Sequence, residues 1–181
     1  MRKIVFVTGN EDKYREVKEI LEKKDIKIIQ KDLEYPELQE DDLEPIAYYG
    51  AKWTADRLNM PVIVDDSGIF IEALNGFPGP YSAFVEKHLG NQKVLKLMDD
   101  ETVRDATFKS VIGYCEPENE PIVFTGKVEG KIAYSERGEG GFGFDPIFEY
   151  QGKTFAEIGD YEKNKVSHRM RALEKFYEWL D

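Results

Sequence analysis

The fold is restricted most by the way the chain begins: the apolar run Ile4-Val5-Phe6-Val7 stops at Gly9-Asn10, and Tyr14, Val17, Ile20 and Leu21 then share one helical face. Consecutive apolar residues mark a buried strand, and a 3.6-residue period after a Gly-Asn break marks an amphipathic helix. A second apolar run, Ile26 to Ile29, completes a β-α-β unit. Leu43, Ile46, Ala47, Gly50, Trp53 and Leu58 fall on one stripe of a second helix, and Pro61 opens a third strand, Val62-Ile63-Val64. That strand runs straight into Asp65-Asp66-Ser67-Gly68, beyond which Ile69-Phe70-Ile71 continues the extended chain. Asn75 to Pro80, with two Gly and two Pro, reads as loop.

The middle of the chain turns towards β structure. Ala106 to Tyr114, Ile122 to Val128 and Lys131 to Tyr134 read as strands, the last two divided by Glu129-Gly130 as in a hairpin. From Val166 onward, Met170, Leu173, Phe176, Tyr177 and Leu180 mark a closing amphipathic helix with Ser167, His168 and Arg169 near its start. The mixture predicts an α/β fold with a mixed sheet. The 181 residues have room for one well-buried domain spanning the whole chain.

Charge and cysteine content narrow the function. The 36 acidic residues against 25 basic ones give a net charge of −11, and no Lys/Arg block is present, so a nucleic acid polymer is not the expected partner. A few Lys and Arg in a cleft can still hold a small anion. Cys115 is the single cysteine, which excludes an intrachain disulfide and a metal-thiolate cluster and predicts a reducing, cytoplasmic setting. No apolar run approaches the roughly 20 residues of a membrane span, and Ile4 to Val7 is too short for a signal core.

Three segments carry candidate chemistry. In Thr8-Gly9-Asn10-Glu11-Asp12-Lys13 a glycine turn leads into a helix N-terminus, whose free N–H groups suit a phosphate that Lys13 can also reach. Neither G-x-x-x-x-G-K-[ST] nor G-x-G-x-x-G spacing is present, and the same residues would serve as an ordinary turn and helix cap. In Asp65-Asp66, two adjacent carboxylates need a cation or donors to offset their repulsion. Hard oxygen ligands favour Mg²⁺, and alternation along an extended chain sends only one of the pair towards a metal while the other orders the loop. Glu37 or Glu40, in the acidic stretch Glu34 to Glu44, could supply a second carboxylate. In the third segment, four glycines lie among the six residues Gly138 to Gly143 around Phe142, and Phe144-Asp145-Pro146 follows. A flexible loop bearing an aromatic face suits a planar ligand, and Arg169 beside His168 suits an anion or carbonyl.

Six ordered motifs together resemble the inosine/xanthosine triphosphate pyrophosphatase family: Thr8-Gly9-Asn10-x-x-Lys13, Asp65-Asp66-Ser67-Gly68, Ala73-Leu74-x-Gly76-x-Pro78-Gly79-x-Tyr81-Ser82, Gly141 to Pro146, Thr154-Phe155-Ala156-Glu157 and Glu162-Lys163-Asn164-x-x-Ser167-His168-Arg169. The resemblance runs the length of the chain. It implies hydrolysis of ITP, dITP and XTP to monophosphate and pyrophosphate by an elongated mixed sheet with flanking helices, two lobes around a central nucleotide cleft, and a homodimer. By the same resemblance Thr8, Gly9, Asn10, Glu11, Asp12 and Lys13 hold the triphosphate, with Lys52 reaching it from the second helix. Asp66 binds Mg²⁺ with Glu37 and acts as the general base, and Ser67 contacts substrate. Phe142 stacks on the purine within the turn Phe142-Gly143-Phe144-Asp145, and Asp145, Lys163, His168 and Arg169 surround its edge. One departure stands out: many relatives continue Tyr81-Ser82 with Ala-Arg, and this chain has Ala83-Phe84. The alternatives are a nucleotide sensor without a competent metal site and a pyrophosphatase for modified pyrimidine triphosphates.

Overall fold

The computed structural model describes residues 2–180. The elements are β1 (Arg2–Val7), α1 (Glu11–Glu22), β2 (Ile26–Lys31), α2 (Leu43–Leu58), β3 (Val62–Ile71), α3 (Ser82–His88), α4 (Gly90–Leu97), β4 (Asp105–Cys115), β5 (Ile122–Ile132), β6 (Phe148–Tyr150), β7 (Lys153–Thr154), α5 (Phe155–Val166) and α6 (His168–Leu180). The strands form one sheet in the order β2-β1-β3-β4-β5-β6-β7. β1 is parallel to β2 and β3, and every pairing from β3 to β7 is antiparallel. The mixed sheet anticipated from the sequence is therefore present, with helices on both faces.

Side-chain alternation assigns each strand residue to a face. Ile4, Phe6, Ile63 and Ile112 meet Val17 and Leu21 of α1 and Leu173 and Phe176 of α6. Val5, Val7, Val62, Val64 and Val111 meet Ala47, Ala51 and Ala55 of α2. A third cluster gathers Ile69, Ile71, Phe108, Val128, Val94, Met98, Phe144, Phe148 and Phe155 under α3, α4 and α5. The long strands β3, β4 and β5 run through the first and third clusters, so the two lobes share one continuous sheet.

The extended chain expected to run on past the acidic pair does so: Asp65 and Asp66 lie inside a ten-residue strand, between the apolar ends Val62–Val64 and Ile69–Ile71. One expectation changes, since Glu129-Gly130 does not turn a hairpin: β5 passes through it with Glu129 opposite Thr107 and Gly130 opposite Ala106. A Cβ on Gly130 would stand 2.4 Å from the Glu149 carbonyl, so the glycine serves the close approach of β6.

The sheet also sets α6, which carries the candidate base-reading residues, directly on β5. A Cβ on Gly126 would stand 2.0 Å from the His168 carbonyl and 2.4 Å from the Ala172 nitrogen. Gly126→Ala should therefore push the start of α6 outwards and cost about 1–3 kcal/mol as overpacking. Urea denaturation measures this, and a loss below a few tenths of a kcal/mol would show that α6 is not seated as described.

Candidate functional site

At the centre of β3, Asp65 faces α1 and α6. Its carboxylate accepts hydrogen bonds from Ser110 Oγ on β4 and from Arg169 Nε at 3.1 Å, and pairs with Lys13 Nζ at 3.1 Å. Lys13 Nζ also donates to the Asp65 carbonyl at 3.0 Å. Arg169 donates onward to Glu16 and, at 3.1 Å, to Ser67 Oγ. Lys163 Nζ joins Glu16 at 2.7 Å to Asp145 at 2.6 Å. Charges thus alternate along Lys13, Asp65, Arg169, Glu16, Lys163 and Asp145, and all but Lys13 are buried.

Burial opposes ionisation throughout, and the partners decide the outcome. It would raise Asp65, but the Arg169 and Lys13 charges overcome it and hold the carboxyl well below the usual range. Glu16 is likewise lowered by Arg169 and Lys163 against its burial. Asp145 is raised despite its short ion pair: burial prevails over Lys163, and the charge of Glu16 adds to the rise. Burial opposes the Arg169 charge too, yet Asp65 and Glu16 raise its pKa further.

Asp66 faces the other side of the sheet. Its Oδ2 is buried with no hydrogen-bond partner, and burial pushes its carboxyl up to about 7, with Lys13 opposing and Asp65 and Glu37 adding to the rise. Burial and the charges of Asp66 and Glu37 also raise the Tyr35 phenol. Tyr35 packs where a Cβ on Gly50 of α2 would stand, 2.7 Å from its ring. At the far end of this segment Lys109 Nζ holds Asp42 at 2.5 Å and Glu44 at 2.6 Å, fixing where α2 begins. Glu37, rather than Glu40, is thus the loop acid whose charge acts on Asp66. An unpartnered carboxylate oxygen beside a second acid fits a hard divalent cation. Among the described residues no cluster of three or more His, Cys, Asp or Glu could hold a metal, so most of such a cation's shell would fall to water and phosphate.

A cavity of about 120 Å³ opens beside the charge chain, lined by Asn10, Lys13, Ser67, Phe142, Gly143, Phe144, Asp145, Lys163, His168 and Arg169. Gly68 of β3, Ser82, Ala83 and Glu86 of α3 and Phe108 of β4 complete it. The Phe142 N–H donates to Asp145 Oδ2 at 2.9 Å, and the ring has Lys163 Nζ 4.5 Å and the Arg169 guanidinium 5.8 Å from its centroid. Gly141 and Gly143 have φ of +69° and +61°, and a Cβ at Gly141 would stand 2.1 Å from Asp145 Oδ2. Only glycine lets the turn wrap this carboxylate so closely. His168 stacks on Phe108, with centroids 4.5 Å apart and planes 7° apart. Burial, then Arg169 and Lys163, lowers its pKa well below 6.5, so the imidazole is neutral and its buried Nδ1 has no partner.

Several expected ligand residues are placed otherwise. Glu11 accepts from Gln30 at 2.9 Å, and Asp12 pairs with Arg15 at 2.9 Å. Lys52 donates to Asp56 at 3.2 Å and to the Asn119 carbonyl at 3.1 Å and does not line the cavity. Thr8 Oγ1 accepts from the Asn10 N–H, and Asn10 caps α1 by accepting from the Lys13 N–H, so Thr8 and Gly9 shape the turn without lining the cavity. Phe144 is only 4% exposed and packs in the third core cluster. Conversely, Glu16 and Ser110 were not anticipated. Glu16 carries a signal, since it precedes Val17 and lies four residues before Ile20, on the apolar stripe of α1.

A model of the Ham1 family matches residues 4–179. The chain belongs to the Ham1 family. The relative from Methanosarcina acetivorans, named dITP/XTP pyrophosphatase, is 68% identical over 99% of this chain and 98% of its own length. A Pyrococcus horikoshii relative of the same name is 45% identical over 98% of this chain and 96% of its own. The solved structure of the Staphylococcus aureus Ham1 protein is 34% identical and superposes with a TM-score of 0.86, covering 99% of this Ham1-family chain and 98% of that one. These matches bear out the family read from the six motifs.

The ion-pair chain yields two expectations. Glu16→Ala leaves Lys163 and Arg169 short of a buried partner and should cost about 3–5 kcal/mol in urea denaturation; a loss under about 1 kcal/mol would remove Glu16 from the network. Asp65 and Glu16 are depressed in the folded state, so the stability they add is present above their ordinary values of 3.8 and 4.5. It should be lost as the pH falls below those values, because the unfolded chain then binds more protons. Asp65→Asn and Glu16→Gln should flatten that acid limb of the stability curve, measured by calorimetry.

Proposed function

We propose that the protein hydrolyses deaminated purine nucleoside triphosphates, dITP, ITP and XTP, to the monophosphate and pyrophosphate, clearing them from the nucleotide pool. The observation that carries the reading is the single cavity that joins Lys13 at a helix N-terminus to a neutral His168, Arg169 and an aromatic turn, on the strand that carries a carboxylate oxygen with no partner. Mg²⁺ held by Asp66 and Glu37 would neutralise phosphate oxygens when bound. Asp66 takes a proton from the attacking water, whose oxygen bonds to the α-phosphorus. The bond from the α-phosphorus to the bridging oxygen breaks, and pyrophosphate leaves against Lys13 and the α1 N-terminus. Without metal, burial pushes this carboxyl up to about 7; a bound cation would favour its charged, proton-accepting form.

Base selection rests on donors. Asp65, Glu16 and Ser67 occupy three of the five Arg169 N–H groups, leaving two for a ligand. Hypoxanthine and xanthine present an O6 acceptor where adenine presents an N6 donor, so ATP leaves a buried mismatch. The protein acts as a cytoplasmic homodimer in the same proposal. Among the described residues no helix is long and apolar enough to cross a membrane. Phe84, at the position where many relatives carry Arg, is 65% exposed with Tyr81 beside it at 43%, apolar surface a second copy could cover.

Pyrophosphate release from ITP and XTP, and far less from ATP, only with Mg²⁺, is the expected result of a substrate panel. Nucleotide binding without release in any lane would instead establish a sensor. Asp66→Asn should lower kcat by at least about 10²-fold, the lower range for a general base, while ITP binding persists. The same substitution bears on stability. The folded, metal-free protein keeps the Asp66 proton up to about pH 7, whereas the unfolded chain releases it above 3.8. Asp66 therefore costs stability as the pH rises through that window and remains costly above it. At pH 8 without metal, Asp66→Asn should raise Tm by about 2–4 °C, corresponding to about 1 kcal/mol, in a calorimetric scan.

A further inference from the structure

We infer that Asn91, in the first turn of α4, is a positioning residue that holds the base-stacking turn across the cavity from α3, an inference that rests on the proposed placement of the purine against Phe142. The two walls of the cavity belong to different parts of the chain: Ser82, Ala83 and Glu86 lie on α3, and Phe142 to Asp145 form the turn opposite. Asn91 Nδ2 donates to the Gly143 carbonyl at 3.0 Å, a bond spanning 52 residues. Next to it, Gln92 Nε2 donates to Glu136 Oε2 at 2.5 Å, so the start of α4 holds the glycine loop at Gly143 and the chain two residues before that loop at Glu136.

Other polar groups of the turn are met from within, from the segment that follows, or from α5, where the Ala156 N–H donates to the Asp145 carbonyl at 3.2 Å and Lys163 to its carboxylate at 2.6 Å. The Phe142 N–H is held by Asp145, the Asp145 N–H donates to the Phe142 carbonyl at 3.2 Å, and the Phe144 carbonyl accepts from Ile147 and Phe148 at 3.0 and 3.1 Å. The Gly143 carbonyl is the one reached from α4, the helix that follows α3 in the chain. Gly143 has a φ of +61° with nothing within 4 Å of where a Cβ would stand, so side-chain packing does not restrain it. The Asn91 bond supplies the restraint.

The bond is made at a cost. Asn91 Oδ1 is buried with no partner, and a half-satisfied buried amide lowers stability. Rotating the amide would set oxygen against the Gly143 carbonyl oxygen, so Nδ2 has to face it. An amide kept under these conditions is better explained by the placement of Phe142 than by core stability. The phosphate-binding turn at Asn10 and Lys13 is anchored separately, to α1 and Asp65. Loss of the Asn91 bond should therefore weaken recognition of the base and leave recognition of the phosphates intact.

The test compares Asn91→Asp, which keeps the shape and removes the donor, with Asn91→Ala and Phe142→Ala. Binding of ITP and of inorganic tripolyphosphate is measured by calorimetry in an Asp66→Asn background, and ITP kinetics in the otherwise native protein. Both Asn91 variants should weaken ITP binding and raise KM by about 5–10-fold, the worth of one hydrogen bond, with kcat within about twofold and tripolyphosphate affinity unchanged. Thermal scans should show both folded. ITP affinity unchanged in the Asn91 variants while Phe142→Ala weakens it would overturn this inference alone. Tripolyphosphate affinity falling in parallel with ITP would also overturn it, since the effect would then be general. If Phe142→Ala leaves ITP binding intact as well, the placement of the base fails and the inference with it.

Discussion

The buried ion pair between Arg169 and Asp65, tied onward to Glu16, is the constraint on which the rest of the site depends. Taking a guanidinium and two carboxylates out of water costs several kcal/mol per ion, offset only where geometry and further hydrogen bonds are good. That requirement reaches into four elements. α6 has to approach β5 closely enough that only Gly126 fits beneath it, and α1 has to present Glu16 on its inner face. β3 has to bring Asp65 to the same face, and Ser110 of β4, paired with Ser67 in register, has to donate to it. The ion pair thus ties the packing of these elements to the geometry of the site.

The pleat of β3 then divides two adjacent acids between two tasks. Asp65, surrounded by donors, is locked in its charged form and serves as the anchor. Asp66, one residue on, faces the opposite side with a bare oxygen and is pushed up to about 7. A difference of one position in a strand thus separates a carboxylate held by donors from one whose buried oxygen has none. Perturbation by burial beside like charges, in a cleft, is the usual mark of a functional acid, and here the same field from Glu37 raises both Asp66 and Tyr35.

What could be read beforehand follows the range of each interaction. β1, α1, α2, β3 and α6 announce themselves through local periodicity, and the sheet is mixed as expected. β5 is one strand although Glu129-Gly130 has the local chemistry of a turn, because the glycine's role, room for Glu149 and Phe148, is set by a distant strand. α5 went unread: its stripe is broken by Gly159 at φ +78° and by the polar run Glu162-Lys163-Asn164, whose lysine is buried only because Glu16 and Asp145 lie across from it. Motifs pointed to Phe142, His168 and Arg169, which line one cavity, and to Asp66, which lies on the adjoining strand and does not line it. They did not show that Lys52 pairs with Asp56, that Glu16 closes the charge chain, or that Asn91 reaches Gly143. Each of these depends on a partner chosen by tertiary packing.

Charge arithmetic within the site explains why a cation belongs to the proposed reaction. Lys13, Arg169 and Lys163 are matched one for one by Asp65, Glu16 and Asp145, so the alternating chain carries no net charge towards the cavity. Asp66 and Glu37 are in excess. A triphosphate approaching this arrangement meets neutral pairs and unmatched acids, Glu86 of the cavity wall among them, within a protein whose total charge is −11. Protonation relieves only part of this, since an Asp66 near 7 is about half ionised at neutral pH. In the proposed reaction a divalent cation on Asp66 and Glu37 would reverse this balance for the phosphates, and would also supply the partner that Asp66 Oδ2 lacks. Metal dependence in this reading is therefore a consequence of how the buried charges cancel, and any substitution that frees Lys13 from Asp65 should reduce it.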